Sequence, residues 1–176
     1  MALPYSFGSA TKPDALFFTQ LQADLAAIAT GQIPGTTTND NAAAGNVGEY
    51  VESVVAIGSA VALTTSTAAN ITSISLTAGD WDVDALAYFV PNAATVNTTE
   101  ACSIGTVSAT LDGTAGRVQA VTIPTAGITG GSGHSCSIPP YRFSLSATTT
   151  IFLVAFAVFT TNTNAAFGRL AARRVR

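Results

Sequence analysis

Beyond residue 46 the sequence breaks into short runs rich in Val, Ile, Thr and aromatic residues, each closed by Gly, Pro, Asn or Asp. This punctuation constrains the fold more than any other feature, because such runs pack as pleated, half-buried strands and their boundaries supply the turns. Residues 51–57, 61–63, 71–76, 81–90, 104–111, 118–123, 137–145 and 151–160 read as strands, with a last one near 167–175. No succession of helical periods accompanies them, which excludes a parallel α/β sheet. About eight or nine strands in a chain of this length predict an all-β fold, an antiparallel β-sandwich of jelly-roll type around one core.

Two runs say more than the count. Alternation along Trp81 to Phe89 places Trp81, Val83, Ala85, Ala87 and Phe89 on one face, and Asp82, Asp84, Leu86 and Tyr88 on the other. Ile151 to Phe159 reads IFLVAFAVF, apolar on both faces, whereas an antiparallel sandwich strand normally alternates. The second face needs a cover. Leu86, Tyr88, Ile151, Leu153 and Phe156 are therefore expected at a subunit interface, in a homotrimer or other cyclic oligomer.

Residues 1–46 form a different region, expected to serve anchoring and oligomerisation, ahead of a sandwich domain at 47–176. Thr11 and Asp14 match capping-box spacing, Pro13 fits a first helical turn, Gly31 suits a left-handed cap and Pro34 blocks continuation. Between them Phe18, Leu21, Leu25 and Ile28 recur at spacings of three, four and three, on one helical stripe. The stripe either docks on the chain's own domain or forms a short seam with neighbouring copies. Residues 36–46, TTTNDNAAAGN, have no apolar period and read as a linker.

Charge sharpens the picture. Hydrophobic residues make up 48% and charged residues only 10% of the chain, which has a formal net charge of -3. That is the reverse of a disordered composition, and it offers no positive field for nucleic acid. A neutral, hydroxyl-rich surface is easier to keep in solution when copies or neighbours cover it. The longest apolar run is under half of the ~20 residues a membrane helix requires. The first residues carry no basic segment followed by an apolar one, so neither a secretory leader nor a membrane partner is expected. Cys102 and Cys136 read as free buried thiols, with a disulfide as the alternative.

Groups for catalysis are scarce. His134 is the single histidine and lies in the Gly-rich stretch GITGGSGHSC, where an anchoring or solvated imidazole is the simpler reading. Ser132 does not complete a nucleophile elbow, and the single lysine, Lys12, lacks the glycine spacing of a phosphate loop. Neither a metal-ligand pattern nor a cofactor motif is expected. Asp80, Asp82 and Asp84 read as a charged strand start that discourages edge pairing. Arg169, Arg173, Arg174 and Arg176 form the one basic cluster, suited to a partner carboxylate.

Three strings carry a family resemblance: DNAAAGNVGEYVES at 40–53, SAVALTTSTAANITSISLTAGDWDVDALAYF at 59–89, and FLVAFAVFT followed by GRLAARRVR at the end. Together they resemble fibre-type virion proteins of tailed bacteriophages and prophages. Gly48, Glu49, Tyr50, Gly79, Trp81, Val83, Gly168, Arg173 and Arg174 occupy the recurring positions, and PYSFGSATKPDALFFTQLQADLAAI looks like the anchoring segment that precedes such domains. The resemblance covers about 130 residues of the chain. It implies a trimeric, non-enzymatic virion component without cofactor: a short tail or head fibre, or a capsid decoration. Its partners would be capsid, neck or tail proteins, with a host surface glycan as the alternative target through loops at 91–100 and 127–134. Because the chain ends directly after the β-region, a long distal shaft is not expected.

Overall fold

The computed structural model describes residues 15–29, 38, 40–122 and 133–176. They form a helix, α1 (Ala15–Ala29), and nine strands: β1 (Tyr50–Val55), β2 (Val61–Leu63), β3 (Ala69–Leu76), β4 (Gly79–Phe89), β5 (Val96–Gly105), β6 (Val118–Thr122), β7 (Ser135–Leu145), β8 (Thr149–Thr160) and β9 (Asn164–Arg174). By its contacts the chain divides into two units, residues 1–40 and 41–176.

In the first unit, α1 presents Phe18, Leu21 and Leu25 at 52%, 44% and 57% exposure. The side chain of Ile28, the capping residues Thr11 to Asp14, and Gly31 and Pro34 lie outside the described residues.

The second unit is a sandwich of two antiparallel sheets. One has the order β1-β9-β4-β7, with β2 also paired to β9, and the other the order β3-β8-β5-β6. β1 pairs along β9 from Arg173 to Gly168, and β2 continues from Ala166 to Asn164. The two act as one strand broken by a 3-10 turn at Ile57–Ser59. Counted so, the first strand pairs with the last, the second with the seventh, the third with the sixth and the fourth with the fifth. These nested pairings make a jelly roll, as the strand punctuation predicts. Pro139 and Pro140 fit β7 because it is an edge strand, and they fall where its register with β4 shifts, between Val83/Tyr141 and Ala85/Ile138.

The face of β4 read from alternation is the inner one: Trp81, Val83, Ala85, Ala87 and Phe89 all enter the core. Trp81 is fully buried and donates its indole N–H to Thr77 O at 2.9 Å, so its one polar atom is satisfied.

Two expectations need correction. Ile151 and Leu153, expected at a subunit interface, are fully buried in this chain's own core, together with Ala155, Ala157 and Phe159. β8 runs between β3 and β5, and its outer face instead carries Phe152, Val154, Phe156 and Val158. Only Phe156 of the residues assigned on this strand points outward, half-buried. A run apolar on both faces has no phase of its own, so the inner set is chosen by the opposing sheet. Leu86 and Tyr88 do lie on an outer face, that of the other sheet, with Tyr88 exposed and stacked on Phe167 at 5.2 Å.

The strand expected at 104–111 is displaced. β5 occupies Val96–Gly105 and residues 106–117 form a loop. That loop folds back against the strands: Asn70 binds Ser108 Oγ and Ala109 N–H at 2.7 Å each, and Asp112 N–H donates to Ser103 Oγ at 3.1 Å. The alternation of β5 is masked because Asn97 and Glu100 are buried polar residues held by partners distant in sequence.

Candidate functional site

Gly48, Glu49, Gly79 and Trp81, four of the residues singled out by the resemblance, come together around a fifth, Arg174. Arg174, near the end of β9, is 5% exposed. Its Nε donates to Glu49 Oε2 at 2.9 Å and its Nη1 to Ala78 O at 2.9 Å, while Nη2 binds Thr77 Oγ1. The guanidinium carbon lies 4.3 Å from the centroid of Trp81. Backbone bonds close the same corner, with Gly48 N–H donating to Arg174 O and Arg174 N–H donating to Glu49 O, both at 2.9 Å. Gly79 has φ +138°, and a Cβ there would stand 2.1 Å from Arg174 Nη1, so glycine is required both for the turn and for room. The entry to β1, the β3–β4 turn and the end of β9 are thus locked by one planar, five-donor group. Val83 lies fully buried two residues beyond Trp81 on the inner face. Thr77 and Ala78 belong to this junction and were not among the sequence candidates; their signal was the turn TAGD.

Protonation couples to this corner. The Gly45 N–H bond and the Arg174 guanidinium hold the Glu49 carboxyl below the ordinary carboxylate range, against desolvation. Bonds from Arg142, 2.6 Å away, and from Ser144 do the same for Asp80. Carboxylates depressed in the folded state stabilise it fully above their unfolded pKa and lose that contribution as pH falls through the folded value. Stability should therefore drop on acidification below about pH 4, and Glu49→Gln and Asp80→Asn should each flatten that limb in urea midpoints measured across pH. An unchanged acid limb in both variants would contradict the assignment.

The outer face of the β1-β9-β4-β7 sheet carries the remaining charge. Arg169 grips Asp84 with Nη2 at 3.0 Å from both carboxylate oxygens and reaches Tyr50 Oη at 3.1 Å, while Tyr50 Oη donates to Glu52 at 2.8 Å. Arg173 lies over the Tyr50 ring, 5.5 Å from its centroid. Of the cluster expected to meet a partner carboxylate, Arg169, Arg174 and Arg176 find theirs within the chain, on Asp84, Glu49 and Asp80. The reason is register: β9 lies between β1 and β4, both of which present acids. A shallow depression of about 240 Å³ on this face is lined by Tyr50, Asp82, Asp84, Pro140 and Arg173, among others. Gly168 lies farther along β9, opposite Ala87 and close against the backbone of β4.

A second polar group is buried between the sheets. Glu100, on β5, is fully buried; its Oε2 lies 2.8 Å from His134 Nδ1 and its Oε1 accepts from Asn164 Nδ2 at 3.3 Å. The imidazole therefore anchors the start of β7. Burial pushes the Glu100 carboxyl above the ordinary carboxylate range, against the bonds from His134 and Asn164. Beside it Cys102 and Cys136 are free and fully buried in the same core. The neighbouring Cys136 and burial push the Cys102 thiol up. Among the described residues no group of three or more His, Cys, Asp or Glu is placed to hold a metal ion, and no helix is long and apolar enough to cross a membrane.

The fold and the arginine-locked corner define an all-β jelly-roll sandwich preceded by a helix with an exposed apolar stripe. No protein-family model matches the chain, and no curated protein sequence matches it. Among solved structures it is similar to a chain in the structure of infectious bursal disease virus Gx strain, with a TM-score of 0.45 and 14% identity, covering 81% of this chain and 38% of that one. The chain thus spans well under half the length of that neighbour.

Proposed function

We propose that the chain is a non-enzymatic structural component of a bacteriophage virion, a short trimeric fibre or decoration protein that attaches through its N-terminal region. The observation that carries this reading is the junction at Arg174. The strings on which the resemblance rests are dispersed over the chain, yet Glu49, Gly79, Trp81 and Arg174 are mutually dependent in space. Residues that need one another in this way make a more specific signature than separate short matches. The exposed stripe of α1 adds the means of association, since apolar side chains at i, i+3 and i+7 suit a helical seam. Two heptads are too short to hold alone, so the sandwich contributes the rest of the contact.

Deletion of residues 1–35 should leave a folded sandwich that no longer joins the particle; normal incorporation would refute the anchoring role. Leu21→Glu with Leu25→Glu should reduce the trimer to monomers in mass photometry while leaving the melting temperature of the sandwich unchanged. A wild-type chain that is a stable monomer at micromolar concentration would overturn the trimer. The reading assigns no catalytic role, and a hydrolase activity lost on His134→Ala would contradict it.

A second reading, recognition of a host surface glycan, is favoured by the depression on the outer sheet face. Tyr50 and Pro140 offer ring surfaces there, and Asp82, between Arg173 and Arg142 in cross-strand register, offers acceptors for sugar hydroxyls. Of the loops expected to bind such a ligand, residues 96–100 belong to β5, and 127–132 lie outside the described residues. Binding on a glycan array that disappears in Asp82→Ala would support this reading; the absence of any binding would remove it.

A further inference from the structure

We propose that the outer face of the β3-β8-β5-β6 sheet is the surface through which the sandwich meets a second copy of this chain. Cross-strand register brings Phe156 of β8 opposite Ala101 of β5, and Ala101 opposite Ala120 of β6. Two residues along the strands, Val158, Thr99 and Thr122 form the next row on the same side of the sheet. Phe156 and Val158 are half-buried, and Ala120 and Thr122 are exposed. A ridge on β8 thus stands beside a floor of small residues on β5 and β6. Toward the other end of β8 the loop of residues 106–117 lies over the sheet, tied by the bond from Asp112 N–H to Ser103 Oγ, and Val107 on it is 60% exposed.

Charge identifies the occupant. Across these four strands the one charged residue is Glu100, and it is fully buried on the inner side. The opposite sheet does the reverse and displays Glu52, Asp84, Arg169 and Arg173 on its outer face. A different protein could be selected by opposite charges, and the β3-β8-β5-β6 face offers none to match. A copy brings identical charges, which repel when apposed, so a face shared between copies must do without them. Shape agrees with this, because each copy carries both the ridge and the hollow. Phe156 of one copy seats over Ala101 and Ala120 of the next, reciprocally about a twofold axis or in turn around a ring. With strands about 4.8 Å apart and about 3.3 Å per residue, the face covers about 550 Å². Two such faces bury about 1,100 Å², close to the ~1,200 Å² at which stable interfaces begin, so the contact uses the whole face. This contact rests on the chain being a self-associating virion component, and it supplies the share of the association that the sandwich makes.

The test is mass photometry and analytical ultracentrifugation of the full chain, with the wild type beside Ala120→Arg, Phe156→Glu and a control, Val54→Arg, on the exposed outer side of β1. The wild-type chain and Val54→Arg should form the same oligomer. Ala120→Arg, which sets an arginine from each copy into the hollow, and Phe156→Glu should each raise its dissociation constant by about 100-fold or more, with the circular dichroism spectrum unchanged. Ala120 is exposed on the edge strand β6, so its variant decides alone if Phe156→Glu does not fold. A wild-type oligomer that Ala120→Arg retains at unchanged affinity would overturn this face as the contact while leaving the oligomer in place. A wild-type chain that is monomeric throughout would overturn self-association itself, and this contact with it. Loss of the oligomer in Val54→Arg as well would show that any added surface charge disrupts it, and would equally overturn the assignment.

Discussion

Gly168→Ala is expected to destroy the folded sandwich or to leave it only marginally stable. A Cβ at this position would stand 2.0 Å from Leu86 O and 3.0 Å from Ala87 Cα. Both atoms are backbone of β4, so no side-chain rotation relieves the clash. β9 pairs with β4 through this point, with Gly168 opposite Ala87, and both strands are flanked on either side by others of the sheet. Moving either one apart breaks ladder bonds and opens the core beneath. Overpacking that the surroundings cannot absorb exceeds the usual range of ~1–3 kcal/mol, and a domain of this size has only ~5–15 kcal/mol in total. Gly58→Ala and Gly113→Ala, where an added Cβ meets nothing within 4 Å, serve as controls and should change stability by less than ~0.5 kcal/mol. Urea melts followed by circular dichroism measure all three. A Gly168→Ala protein with a near-normal midpoint would show that β4 and β9 do not approach as described.

Arg174→Met is expected to destabilise the sandwich by about 3–5 kcal/mol, because it strands the buried Glu49 carboxylate rather than merely removing a bond. Ala78 O and Thr77 Oγ1 lose a donor in the same step. Arg174→Lys retains the charge without the fork that serves Glu49, Thr77 and Ala78 at once, so it should recover only part of the loss. The pair is best separated by a double-mutant cycle. Glu49→Gln combined with Arg174→Met removes both charges and should be more stable than Arg174→Met alone. Additive losses in that cycle would mean that Glu49 and Arg174 stabilise the fold independently, contrary to the 2.9 Å contact between them.

These two positions also mark how far the sequence can be read. The strand pattern and the inner face of β4 follow from alternation of large apolar and polar residues, and the jelly roll follows from the number and spacing of such segments. β5 was not legible. Its inward positions include Asn97 and Glu100, bonded to Asn164 and His134, and a polar residue that finds a partner in the core looks like a loop residue from its neighbours alone. The arginine cluster was visible but its partners were not, since nothing near residue 174 says that residue 49 will lie beside it.

The sequence by itself determined which segments pleat, where they turn, which face of β4 is apolar and where the helix falls. Each of these depends on neighbours a few residues apart. Tertiary structure alone decided which face of β8 enters the core, and where the closing arginine meets its carboxylate across 125 residues of chain. The physical reason is common to both: a strand apolar on both sides and a side chain with several donors are each compatible with several partners, and the choice is made only when the sheets close over one another.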